Sequence, residues 1–275
     1  MRLGLLVIAG ITAIGFSQEF EVATVRQNKT APEQIVNPGD GQGLSLKGGQ
    51  LTMRNQTLRY LLGFAYHPGN QRFRNDLIVG APAWVNSDRF DVVAKASVDS
   101  PVRGCFFSNF CYPDKSVAVM LRKLLEEEFK ITAHQEQRPT SVYSLVVAKG
   151  GAKIQKSFAA GERNCKRIQG GSQDSDAKGL LNIEAGFVCR NLSMADFADF
   201  LPEMASAYLD RMVVDSTGLE GTYDFKFTWV GAALIDQGGL TLFDALQKQL
   251  GLKLEEKKLP VAVTVIDRIE KLAEN

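Results

Sequence analysis

Histidine and tryptophan are scarce in this chain, with two of each in 275 residues. His67 and His134 lie far apart, and none of the four cysteines forms a Cys-x-x-Cys pair, so the usual zinc-ligand spacings are absent. Neither a metal nor a cofactor is therefore expected. An excess of one charge is also missing: 32 Lys and Arg stand against 31 Asp and Glu. That balance disfavours a strongly basic nucleic-acid binder, and no nucleic-acid partner is expected. Catalytic signatures are lacking too. No Gly-x-Ser-x-Gly elbow is present, and Gly39-Asp40-Gly41-Gln42-Gly43 has no apolar strand before it and no Lys-Ser/Thr after it, as a phosphate loop would. What remains, 45% hydrophobic and 23% charged, is the composition of an ordinary folded protein with a real core.

The longest apolar run, Leu3 to Phe16, is shorter than the roughly 18 residues a spanning helix needs. Behind the positive start Met1-Arg2 it has the form of a signal-peptide hydrophobic region, and Gly15 and Ser17 supply small residues for cleavage after Ser17. The alternative is an uncleaved N-terminal anchor. No cysteine adjoins the junction, which argues against a lipoprotein. The mature chain is read as exported, periplasmic or extracellular, with no transmembrane span. In an oxidising compartment Cys105, Cys111, Cys165 and Cys189 read as two disulfides, with three connectivities open. The favoured pairing is Cys105–Cys111, closing GCFFSNFCYP, and Cys165–Cys189, pinning a polar linker to the segment that follows.

The chain also repeats itself. Met53-Arg54-Asn55-Gln56-Thr57-Leu58 returns in character as Cys189-Arg190-Asn191-Leu192-Ser193-Met194. Thr57 and Ser193 are placed as N-caps. Leu58, Leu61, Leu62 and Ala65, and then Met194, Phe197, Ala198 and Leu201, follow at helical spacing, with Pro202 expected to kink or end the second helix. Each copy continues with a short strand (Leu77–Val79; Met212–Val214), a turn, and an alternating strand (Arg89–Ala94; Tyr223–Trp229). Helices over Ser116–Phe129 and Leu242–Leu250 come next, the latter expected to bury Phe243, Leu246 and Leu250, with Thr241 and Asp244 at capping-box spacing and Gly251 as its stop. Two strands close each copy, with turns expected at Arg138-Pro139 and Leu259-Pro260. The fold class is α+β: internally duplicated strand-helix-strand-strand-helix-strand-strand units, with mixed or antiparallel sheets and helices on one face. The organisation reads as a signal peptide over 1–17, a first unit over 18–155, a polar linker over 156–179 and a second unit over 180–275.

Candidate chemistry is thin. Asp88 with Asp91, and Asp215 with Asp224, are the carboxylate pairs available for acid–base work, although turn and surface roles account for them. His67 closes a helix before Pro68, and His134 sits at a polar strand end. Lys149, Lys153, Lys156, Arg163, Lys166 and Arg167 gather around the linker, where in an exported protein they are available to anionic envelope polymers or lipid head groups, with a solvated linker the simpler reading. Trp84, Tyr60, Tyr66 and Tyr208 are the aromatics available to a ligand groove, with core packing the simpler account. Asn55 and Asn191 head glycosylation sequons, for which helix capping is the simpler reading. The candidate interaction residues are Arg54, Asn55, Arg190, Asn191 and Trp84.

The motif order FEVATVRQN, LTMRNQTLRYLLGFAY, VGAPAWVNSDRFDVVAKA, LRKLLEEEFKITAHQEQRPTSVYSLVVAKGGAKI, VVDSTGLEGTYDFKFTW and LTLFDALQKQLGLKLEEKKLPVAVTVID resembles the soil-associated paralogous family of exported proteins abundant in acidobacteria, a domain of unknown function. The resemblance implies a secreted or periplasmic protein. Related domains are sometimes fused to membrane-embedded metallopeptidases of the antibiotic-sensor type, but this sequence has no His-Glu-x-x-His helix. No catalytic residues are carried over. The strand–helix–strand–strand unit also resembles the short N-terminal domain of secretins and TonB-dependent receptors, an analogy of fold alone. The function expected is a non-catalytic extracytoplasmic binding or interaction module, a sensor or adaptor, whose partner is an envelope protein, peptide or glycan. The alternatives are a carboxylate-dependent hydrolase of an extracellular polymer and a purely structural envelope protein.

Overall fold

The computed structural model describes residues 19–29, 43–69, 73–97, 115–158, 163–168 and 184–272. The leader segment, Cys105 and Cys111 lie outside the described residues. In chain order the elements are β1 (Phe20–Asn28), β2 (Gly43–Lys47), β3 (Gln50–Thr57), α1 (Leu58–Tyr66), β4 (Ile78–Val79), the single turn α2 (Trp84–Ser87), β5 (Arg89–Ala96), α3 (Lys115–Glu128) and β6 (Thr132–Val147). There follow β7 (Gln155–Lys156), β8 (Asn164–Arg167), β9 (Glu184–Leu192), α4 (Met194–Met204), β10 (Val213–Asp215), β11 (Tyr223–Val230), α5 (Leu242–Ala245) and β12 (Leu252–Arg268). Strand β8 lies inside the stretch read as linker. The class is α+β, as the patterning implied.

The helices form where capping and periodicity place them. The Thr57 hydroxyl accepts the Tyr60 amide at 3.2 Å, the Ser193 hydroxyl accepts the Asp196 amide at 3.1 Å, and Thr241 does the same for Asp244 at 3.1 Å. Leu58, Leu61, Leu62 and Ala65 are buried on α1, as are Met194, Phe197, Ala198 and Leu201 on α4. Pro202 sits in the last turn of α4, two residues before its end. Helix α5 runs on into a π turn over Leu246–Leu250 and stops at Gly251, whose φ of 66° is left-handed. A Cβ there would come within 2.2 Å of the Gly151 carbonyl oxygen, so both conformation and space require glycine. Phe243 is not in the core as expected. It is 40% exposed, because the helix turns Leu242, Ala245, Leu246 and Leu250 inward and leaves Phe243 at the edge of the second core, edge-on to the rings of Tyr143 and Tyr208.

Three four-stranded sheets result, ordered β1-β5-β3-β2, β7-β11-β9-β8 and β10-β6-β12-β4. In the first and the second, an antiparallel sheet buries one face beneath helices. α1 and α3 cover Leu51, Met53, Phe90 and Val92, while α4 and α5 cover Phe187, Cys189, Phe225 and Phe227. The third sheet joins the two. Strands β6 and β12 pair antiparallel along their whole length, β10 adds in parallel to β6 beside Tyr143, and β4 adds in parallel to β12 beside Thr264.

The turns expected at Arg138-Pro139 and Leu259-Pro260 do not occur; both strands run straight through. The two prolines face each other in the ladder. Ala148 donates to the Gly251 carbonyl, and stepping by twos from that bonded pair makes Pro139–Pro260 a non-hydrogen-bonded pair. The missing amide protons would have pointed away from the partner strand, where neither β10 nor β4 reaches.

Cys165 and Cys189 are opposite one another in the β8–β9 register and form a disulfide in the second core. The bond closes a loop across a sequence separation of 24. Replacing both cysteines with alanine lowers the unfolding free energy by about 3 kcal/mol on the chain-entropy account. Urea titration of the double variant checks this, and an unchanged midpoint would show that the bond carries no stability.

Candidate functional site

The repeated Arg-Asn pair occupies the same device in both outer sheets. Between the pairs Met53–Val92 and Gln56–Phe90, Arg54 and Asn55 together oppose the single residue Asp91. Between Cys189–Phe225 and Leu192–Tyr223, Arg190 and Asn191 together oppose Asp224. Each is a β-bulge, and the second bulged residue is left-handed: φ is 52° at Asn55 and 53° at Asn191. Asparagine is the side chain best suited to that region after glycine. The strained turn frees a backbone amide, and a carboxylate takes it. Asn55 N–H donates to Asp91 Oδ1 at 2.7 Å, and Asn191 N–H to Asp224 Oδ1 at 2.8 Å. Two residues later the N-cap starts the helix. The recurring Arg-Asn-x-Thr/Ser step is therefore a bulge followed by a cap, turning a strand into a helix.

The two copies differ inside. Asn191 Oδ1 accepts the Thr222 hydroxyl at 2.6 Å, whereas Asn55 is only 2% exposed and its Oδ1 has no hydrogen-bond partner among the described residues. Arg89 Nη1 donates to the Asn55 carbonyl at 2.7 Å, and the Asn28 amide donates to Asp91 Oδ1 at 2.9 Å. A side chain as buried as Asn55 is shut away from modification.

The other candidates fall in separate places. Asp224 also accepts the Ser157 hydroxyl, and these two donors hold its carboxyl below the usual range. Asp88 meets Lys271 Nζ at 3.0 Å, and Asp215 accepts the amide and hydroxyl of Thr217. All four carboxylates weighed for acid–base work thus have structural partners. Trp84 packs on Phe129 beside the first core, with Lys271 Nζ 5.2 Å from its ring, and stays half-exposed. Tyr66 donates to Glu126 at 2.7 Å, and Tyr208 to the Val230 carbonyl at 2.7 Å. His134 is exposed, 2.9 Å from Asp267 and 3.3 Å from Glu136, and these acids raise its pKa.

His67, by contrast, is inside the junction. Its Nε2 lies 2.9 Å from the hydroxyl of fully buried Thr264, which also accepts the Gln135 amide at 2.7 Å. The two share a hydrogen bond, and burial holds the His67 pKa down at about 4. Nearby, Asp199 on α4 is pushed up to about 6 by burial, and Gly69 is small enough to lie against it; a Cβ at Gly69 would meet its carboxylate at 2.3 Å. No cluster of three metal-ligating side chains exists among the described residues.

What the bulges leave in solvent is Arg54 and Arg190, each on the face of its sheet away from the helices. Of their neighbours on those faces, only Lys166 was singled out from sequence, as part of the basic cluster around the linker. In the first sheet the exposed cations are Arg26, Lys47, Arg54 and Lys95; in the second they are Lys166, Arg190 and Lys226. Strand parity carries that signal: each lies an even number of residues from an outward position, alternating with buried Leu46, Met53 and Ala94 or with Cys165, Cys189 and Phe225.

A family model described as protein of unknown function, DUF3738, matches residues 59–269. The chain belongs to that family. No curated protein and no solved structure is significantly similar to it. The matched region includes the whole β6–β12 ladder, and the family description assigns it no chemistry. Among the described residues no helix is long and apolar enough to cross a membrane.

The bulge geometry predicts an ordered substitution series. Asn55→Ala keeps a Cβ in a left-handed conformation that asparagine tolerates better than alanine, and costs about 1 kcal/mol. Asn55→Gly costs less than Asn55→Ala, and chemical denaturation of the two variants checks the order. His67 gives a second expectation. Its folded pKa lies below the unfolded value of about 6.5, so its neutral form favours the folded state and stability is lost as pH falls from 6.5 towards 4. His67→Gln removes that part of the slope, so unfolding midpoints measured across this window fall less steeply than in the parent.

Proposed function

We propose that the chain is an exported, non-catalytic binding module built from two related lobes, acting as a sensor or adaptor towards an envelope protein, peptide or glycan. The observation that carries this reading is the fate of the repeated motif. In both lobes an aspartate and the motif's asparagine are consumed in holding a bulge, while its arginine is exposed to solvent on the sheet face away from the helices. The matching strand orders β1-β5-β3-β2 and β7-β11-β9-β8 support descent from one duplicated unit. The buried Cys165–Cys189 bond and the apolar leader Leu3–Phe16 support export. The rival, a carboxylate-dependent hydrolase, needs Asp88 or Asp91 free for proton transfer, and both are engaged.

The test is capture of the tagged chain from its native cell envelope after mild crosslinking, with mass spectrometry of what is retained and N-terminal sequencing of the exported form. The expected results are an N-terminus at Gln18, a stoichiometric partner, and reduced recovery of that partner with Arg54→Ala/Arg190→Ala. An activity on an extracellular polymer that Asp91→Asn abolishes in a folded chain would replace this reading with the hydrolase.

A further inference from the structure

The outer face of the first sheet carries a charge pattern that the near-neutral net charge hides. Reading across the register, Lys47, Gln50, Lys95 and Val22 form one row; Ser45, Thr52, Val93 and Thr24 form the next; and Arg54 and Arg26 flank Asp91 in the third. Lys47 and Lys95 are separated by one intervening strand, as are Arg54 and Arg26, which places each pair about 10 Å apart, with the two pairs about 13 Å from one another along the strands. All four are exposed, and none makes an ion pair with a described residue. The carboxylate between them, Asp91, is committed to the Asn55 amide and the Asn28 side chain. Glu21, the other acid of these strands, lies in the irregularity between Phe20–Ala96 and Val22–Lys95, at the border of the Lys95 row and outside the three rows themselves.

The floor between the cations is made of small hydroxyl side chains, Ser45, Thr24 and Thr52, together with Val93, which is 39% exposed. No aromatic side chain projects from these outward positions. Single-stranded nucleic acids are held on sheets chiefly by stacking on such aromatics. Insertion at a membrane surface needs larger apolar groups than Val22 and Val93. Four cations around a hydroxyl-lined floor suit a ligand with spaced negative charges and many hydroxyl groups. The corresponding face of the second sheet is partly closed: Ile168 lies over Gly186, where a Cβ would meet it at 3.0 Å.

We infer that the outer face of the first sheet, framed by Arg26, Lys47, Arg54 and Lys95, binds an acidic polysaccharide. The inference rests on the binding-module reading and names the ligand class of its first lobe. The cations pair with carboxylate groups of the polymer, and Ser45, Thr24, Thr52 and Gln50 hydrogen-bond its hydroxyls.

The test measures binding of the mature chain, residues 18–275, to polygalacturonate, to its neutral methyl ester, to a single-stranded oligodeoxynucleotide and to phosphatidylglycerol vesicles at one low ionic strength. Polygalacturonate is expected to bind at least tenfold tighter than the methyl ester and tighter than the other two anions. The Arg54→Glu/Lys95→Glu pair is expected to weaken it at least tenfold. Lys149→Glu/Lys258→Glu, which changes net charge equally at exposed positions elsewhere, is expected to change it less than twofold. Should the reversed pair fail to fold, Lys47→Gln/Lys95→Gln serves in its place. Equal binding of acid and ester, equal loss in the control pair, or tighter binding of oligonucleotide or vesicle would each overturn the inference. Such a result beside a captured protein partner leaves the binding-module reading standing; an activity lost in Asp91→Asn removes both.

Discussion

The pairing of β6 with β12 is the constraint on which the rest of the structure depends. The two strands are bonded from Leu252–Val147 at one end to Arg268–Thr132 at the other. Each begins in one core and ends in the other. Ile131 and Ala133 pack in the first while Tyr143 and Leu145 lie in the second; Leu252 starts in the second and Ile266 finishes in the first. Neither core can be completed without a strand whose other end belongs to its neighbour. Strands β4 and β10 then dock at opposite ends, and a third cluster around Val142, Met212, Leu77 and Val263 fills the middle. Two buried hydroxyls mark the seams: Ser144 bonds Ser216, and Thr264 bonds His67 and Gln135. A buried hydroxyl left unbonded is costly, so these pairs fix the register as well as fill space.

On this ladder each outer sheet is held by the same local economy of hydrogen bonds. A bulge inserts one residue, the left-handed asparagine reverses an amide, an aspartate catches it, and a threonine or serine opens the following helix. Bulges turn a strand sharply and re-aim a side chain. Here the re-aimed side chain is an arginine, and it points into water. The polar residues that look most chemical in the motif are thus consumed in shaping the backbone, and the residue left over is the one available to a partner.

Charge is sorted by strand parity more than by composition. The total is close to zero, yet the first sheet sends its lysines and arginines to one face because the alternate positions are needed by the core. Acidic side chains are spent elsewhere: Glu255 is held well down, at about 2, between Lys253 and Lys257, and Asp196 pairs with Arg163. Electrostatic recognition depends on that local distribution and not on the sum.

Much of this was legible in the sequence because it is decided within a few residues. Thr57, Ser193 and Thr241 act as caps, α1 and α4 bury the four positions their spacing selects, and Gly251 stops its helix. The Cys165–Cys189 bond was also named in advance. The failures are all non-local. Pro139 and Pro260 read as turns because a proline usually ends a strand; only their mutual register, 121 positions apart, puts both missing amides on the open side. Phe243 read as core together with Leu246 and Leu250, but only those two turn inward beside Leu242 and Ala245, and packing leaves Phe243 at the edge against Tyr143 and Tyr208. Asp91 and Asp224 read as partners of nearby aspartates, whereas each belongs to an asparagine more than thirty residues away. Short-range periodicity and capping fix the identity of an element, because those forces act within one or two turns of chain. Which strand lies beside which, and so which charges share a face, is set by burial and backbone pairing between distant segments, and only the tertiary structure decided that.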